Sequence, residues 1–187
     1  ERCEEERDVQ QWADWVRRRM EETRAIAAAV DLFIAPSQYL RERFVRDFGI
    51  AEEKIVYLDY GFPLSYLRPV DTSKAAQARP FTFGYIGTHI PAKGVNLLIE
   101  AFKKVQSPAA LRIYGHNKGQ SADALRRMAA DSPQPISFEG EYVNSNLADR
   151  VFSQVDCIVV PSIWGENSPL VIHEAQACHV PVITADV

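Results

Sequence analysis

The chain has 187 residues, 47% of them apolar, and 21 Lys and Arg against 25 Asp and Glu give a net charge of −4. That is enough apolar material for a real core, and the acidic balance (pI about 5.6) excludes a nucleic-acid binder relying on a general basic field. No apolar run is long enough to cross a bilayer, and the opening "ERCEEERDVQ" is unlike a secretory signal.

Three scattered cysteines (Cys3, Cys157, Cys178) form neither a disulfide framework nor a zinc pattern, so a reduced, cytoplasmic setting is expected, with Cys157 and Cys178 as small core residues. Residues 4–29 read as one long, heavily charged helix whose apolar contacts are Trp12, Trp15, Val16, Ile26 and Ala27. "DLFIAPS" (31–37) follows as a strand and turn, and "QYLRERFVRDFGI" as a helix stopped at Gly49. "KIVYLDYGFP" is a second strand. Hydrophobic period is lost from about 64 to 80, and residues 67–80 are read as a linker between a first domain (1–66) and a second (81–187).

From 81 onward short apolar runs at 81–87, 111–115, 136–140, 156–162 and 181–185 alternate with helix-like segments near 94–106, 121–131, 145–154 and 169–178. This alternation predicts an α/β fold, a Rossmann-like doubly wound parallel sheet whose ligand crevice lies beyond the carboxyl ends of the strands. "VDLFIAPS" and "VDCIVVPS" echo each other, as two halves built on one plan would. The sequence stops just after a strand with no covering helix, so an incomplete domain from a larger protein is expected.

The strand-exit loops "GTHIPAKG", "GHNKG", "EGEY" and "SIWGENSP" bring glycines, Lys93, Lys118, His89, His116 and Glu166 to one edge, which suits an anionic, hydroxyl-rich ligand. Ser168 reads as an N-cap with Pro169 in the first helical position, so that the N–H groups of Leu170 and Val171 face a phosphate. Glu166 precedes that helix start and Glu174 lies inside it. Their spacing corresponds to a rise of about 12 Å along a helix, too long for an acid–base pair and suited to two clamps on an extended ligand. A solvent-facing Glu174 on an amphipathic helix is the plain alternative.

"PSIWGENSPLVIHEAQACHVPVI" resembles the E-x7-E motif of retaining nucleotide-sugar glycosyltransferases of the two-Rossmann-domain GT-B architecture. "FGYIGTHIPAKGVNLLIEAF" resembles the first strand, loop and helix of that family's donor domain, and "VDLFIAPSQYLRERFVRDFGI…KIVYLDYGFP" the end of its acceptor domain. The resemblance implies a retaining, metal-independent hexosyltransferase using a UDP- or GDP-linked sugar, without a cofactor. A nucleotide-sugar epimerase or a non-catalytic nucleotide-sugar-binding module are the alternatives. It implies that Glu174 grips the ribose, Glu166 the donor sugar, and that Lys93 with the backbone around Ser168, Leu170 and Val171 holds the diphosphate. Lys93 and Glu166 are the implied catalytic residues. Gly87 and Thr88 belong to the implied donor loop, and Phe138, Glu139 and the residues up to Glu141 meet the base, mostly through backbone. The acceptor would be a carbohydrate or glycolipid, with room for a peripheral membrane seat of the full enzyme. Two departures stand out: Thr88 occupies the position of a family Arg, leaving open whether His89, Lys118 or nothing replaces that cation, and His179 replaces a helix-ending Gly.

Overall fold

The computed structural model describes residues 2–71, 79–116 and 120–186, and the chain divides into two compact units, Glu1–Tyr60 and Gly61–Val187. In the first unit a long helix α1 (Arg2–Ala28) precedes a parallel strand pair, β1 (Phe33–Ala35) and β2 (Ile55–Tyr57), in register Phe33↔Ile55. Helix α2 (Gln38–Phe48) connects the strands. Ser37 starts it, its Oγ accepting from the Leu40 N–H at 3.1 Å, and Gly49 ends it in the left-handed conformation (φ 75°).

The core of this unit is small: Ala35, Ile50 and Ile55, with Ala27, Phe33, Val45 and Phe48 against them. Of the five expected contacts on α1, Ala27 alone joins it, while Trp12, Trp15, Val16 and Ile26 are exposed. The reason is length. A 27-residue helix runs to about 40 Å, whereas three-residue strands reach only about 10 Å. Trp12 and Trp15 instead pack edge to face at 5.7 Å, with Arg19 stacked 5.3 Å over Trp15.

The second unit holds five parallel strands: β3 (Phe81–Ile86), β4 (Ala109–Tyr114), β5 (Ile136–Gly140), β6 (Cys157–Val160) and β7 (Val182–Thr184). Their spatial order is β5-β4-β3-β6-β7, so the chain winds outward from β3 on one side and then returns to its other side. Helices α3 (Val95–Phe102) and α4 (Gln120–Ala129) cover one face, where Val95, Leu98, Ile99, Phe102 and Leu125 meet Leu111 and Ile113. Helices α5 (Leu147–Arg150) and α6 (Leu170–Ala177) cover the other, where Leu147, Val151, Phe152, Ala175 and Cys178 meet Ile86, Tyr114 and Ile158. This is the expected doubly wound sheet. The helix expected over 145–154 is broken at Val151 (φ −121°, ψ −66°), which lets Val151, Phe152 and Val155 all face inward. Cys157 and Cys178 are buried free thiols, pushed upward in pKa by burial, and the Cys3 side chain lies outside the described residues.

The unit boundary falls at Tyr60/Gly61, ahead of the expected 67–80 linker. Residues 61–71 belong to the second unit because Tyr66, Leu67 and Val70 pack against its core and the Val70 N–H donates to the Cys178 carbonyl at 3.0 Å. Residues 72–78 of the expected linker lie outside the described residues.

At the amino end of the sheet, Asp156 is buried between the Arg79 guanidinium (2.5 and 3.0 Å) and the Thr82 N–H (2.7 Å). Breaking such a pair strands a charge. Asp156→Ala is therefore expected to destabilise the protein by about 3–5 kcal/mol in urea unfolding, and Asp156→Asn by less.

Candidate functional site

The winding reverses between β3 and β6, which puts the crevice expected at the carboxyl edge of the sheet beside their exit loops. Backbone hydrogen bonds stitch the exit loops together: Gly87 N–H to Tyr114 O (3.2 Å), His89 N–H to His116 O (3.2 Å), Gly115 N–H to Gly140 O (2.7 Å) and Ile163 N–H to Ala92 O (3.0 Å). Two glycines make this approach possible. A Cβ on Gly94 (φ +69°) would lie 2.0 Å from the Pro161 carbonyl oxygen, and one on Gly115 (φ +121°) 2.0 Å from that of Gly87.

Lys93 ends a single 3-10 turn after β3, and its Nζ lies 2.5 Å from Glu166 Oε1 in the loop after β6. Ser162 Oγ donates to the same oxygen at 2.6 Å, and the ammonium sits 5.3 Å over the Trp164 ring. Burial pushes the Glu166 carboxyl upward, but hydrogen bonds from Lys93, Ser162 and Trp164 outweigh it and hold the group below the usual carboxylate range. The two residues expected to carry chemistry are thus brought together as one ion pair across the crevice.

Helix α6 begins at Leu170, and Pro169, not Ser168, holds the N-cap position with extended backbone (φ −70°, ψ 109°). The Ser168 Oγ lies 3.0 Å from Nε2 of the His173 ring. The amides of Leu170 and Val171 still open the helix and carry its positive end. Glu174 is buried, not solvent-facing, with its Oε1 accepting from the Tyr66 hydroxyl at 3.2 Å. Burial pushes its carboxyl above the ordinary range, while Tyr66 and His173 pull it partway back.

Thr88 is exposed, and the Tyr85 hydroxyl donates to its carbonyl at 2.8 Å, fixing the loop at Gly87. His89 does not supply the missing cation. Its ring is buried beside Tyr114 O (3.4 Å) and Phe138 (centroids 6.3 Å), and burial holds it below the usual imidazole value. Lys118 lies outside the described residues.

His89, Gly115, His116, Arg126, Phe138, Gly140 and Glu141 line a cavity of about 240 Å³. Arg126 stacks 5.1 Å over Phe138, and His116 pairs with Glu141. Of the expected base-side residues, Phe138 lines it but Glu139 does not. Strand alternation turns Glu139 to the opposite face, toward Arg112 (3.8 Å). Arg126 and Tyr66 escaped the sequence reading: nothing in their local pattern marks them.

The family model described as "Glycosyl transferases group 1" matches residues 80–187. The D-inositol 3-phosphate glycosyltransferase of Streptomyces bingchenggensis is 28% identical over 183 residues, covering 87% of this chain and 39% of the relative. That of Mycobacterium marinum is 31% identical over 137 residues, covering 68% and 29% respectively. This chain therefore spans well under half the length of the curated relatives it matches. Among solved structures, Anabaena Alr3699/HepE in complex with UDP-glucose has a similar fold (TM-score 0.70, 23% identity, 84% of this chain and 45% of that one). The pneumococcal O-GlcNAc transferase GtfA in complex with UDP and GlcNAc aligns with a TM-score of 0.63 at 25% identity, covering 89% of this chain and 32% of its own.

The two glutamates should affect stability with opposite sign. Glu166 has a depressed folded value, so its contribution is present above the ordinary glutamate range and lost as pH falls through that depressed value. Glu166→Gln should lower stability at pH 7 by roughly 1–2 kcal/mol, the gap closing in acid. Glu174 has a raised folded value, so its contribution is present in acid and lost as pH rises through that value. Glu174→Gln should be the more stable form at pH 7, with the advantage vanishing below about pH 4. Melting curves of both variants across pH check this, and parallel profiles would contradict it.

Proposed function

Because this chain belongs to the group 1 glycosyl transferase family, we propose that it carries the donor-binding unit of a retaining hexosyltransferase that uses a nucleoside-diphosphate sugar. The observation that carries this reading is the Lys93–Glu166 pair, set at the winding reversal beside the start of α6. A diphosphate seated on the Leu170 and Val171 amides competes with Glu166 for Lys93. Once displaced, Glu166 is free to accept from hydroxyls of the donor sugar, and Lys93 neutralises charge growing on the departing diphosphate. Glu174, on the same helix, takes the ribose hydroxyls.

The base enters the cavity between Phe138 and the His116–Glu141 pair. UDP is favoured over GDP, since the pneumococcal relative is solved with UDP and GlcNAc. The attacking hydroxyl belongs to a carbohydrate or glycolipid acceptor and approaches the face that the diphosphate leaves, preserving anomeric configuration. Thr88 stands where the family pattern has an arginine, so Lys93 is the cation of this loop that meets the leaving-group charge.

Calorimetry with UDP, GDP and ADP on the intact protein tests the reading. Lys93→Ala is expected to weaken UDP binding about 10- to 100-fold while changing uridine binding little. An equal loss for both ligands, or no loss for UDP, would overturn the assignment of Lys93. Release of an epimerised sugar from donor alone would favour an epimerase of the same architecture.

A further inference from the structure

Tyr66 lies far from the site in sequence, in a segment that showed no regular period. That segment is nevertheless held in place. The Leu67 N–H closes a turn onto the Leu64 carbonyl at 3.0 Å, and the Val70 N–H donates to the Cys178 carbonyl, just past the end of α6, at 3.0 Å. The Tyr66 ring is partly buried against the cluster that includes Leu147, Ala175 and Cys178. Its hydroxyl reaches Glu174 Oε1 at 3.2 Å.

Glu174 is 8% exposed, and among the described residues Tyr66 is the side chain that donates to it. A buried carboxylate needs such a donor, because an unmet acceptor in this setting is costly to keep. The other polar groups close to Glu174 are Tyr142, His173 and Cys178. His173 Nε2 lies 3.0 Å from Ser168 Oγ, Cys178 is within the core and Tyr142 packs against it. One carboxylate oxygen is therefore fixed from the side of residues 61–71.

We propose that Tyr66 is a positioning residue: its hydroxyl fixes the Glu174 carboxylate in the orientation that receives the two ribose hydroxyls of the donor. The proposal rests on Glu174 being the ribose clamp. Phenylalanine would keep the packing against the core and remove only the hydroxyl, so Tyr66→Phe isolates the hydrogen bond from the fold. A clamp left to choose its own rotamer loses part of its bidentate fit to a diol, and that loss depends on the diol being present.

The test measures affinity of the intact protein for UDP and for 2′,3′-dideoxy-UDP, in wild type, Tyr66→Phe, Glu174→Gln and the double variant. Tyr66→Phe is expected to weaken UDP binding about five- to tenfold and to leave the dideoxy analogue unchanged. In the double variant it should add nothing to Glu174→Gln. Equal losses for both nucleotides, additivity with Glu174→Gln, or no loss for UDP would each overturn the role of Tyr66. A wild type that does not distinguish the two nucleotides brings down the ribose assignment of Glu174 itself, and this proposal with it. A Tyr66→Phe chain that does not fold would make the hydroxyl a bond that holds the fold rather than one that orients the clamp, and would overturn the role as well.

Discussion

Everything at the candidate site depends on the approach of two loops at the point where the sheet reverses its winding. Strand β3 has β4 on one side and β6 on the other, and the loops leaving β3 and β6 meet where Gly94 lies against the Pro161 carbonyl. No side chain fits between them. With backbone this close, Lys93 and Glu166 fall within hydrogen-bonding reach although 73 residues separate them. The ion pair is a product of the topology, and the topology is a product of the alternating apolar runs that make the strands and helices.

The same geometry explains why the two glutamates differ so sharply. Glu166 stands in a loop among three donors, so its charge is welcome. Glu174 stands on α6 against the core with the Tyr66 hydroxyl as its donor, so its charge is tolerated at a cost. A protein built for stability alone would place a neutral group at 174. Keeping an acid there is the pattern expected where ligand recognition overrides packing.

Much of this was legible in the sequence. The strands from 81 onward, their parallel pairing and the arrival of Lys93 and Glu166 at one edge follow from hydrophobic period and from the loops that leave the strands. What escaped follows from physics that has no local signature. Tyr66 meets Glu174 across 108 residues, and its neighbours lack any period that would mark a packed segment. Ser168 has the right chemistry for a cap, but the helix starts one residue later, with Pro169 in that position. On α1, apolar residues at helical spacing suggested contacts that the short strand pair of the first unit is too small to provide.

The pairing of Lys93 with Glu166 also governs how an anion would reach the crevice. At rest the ammonium's field is cancelled at 2.5 Å, and the chain as a whole carries −4. A phosphorylated ligand is therefore not drawn in from a distance, and its capture depends on contacts made only after arrival. Association should consequently be slow by the standards of steered encounters and should not fall as ionic strength rises, with discrimination between ligands expressed in how long each one stays.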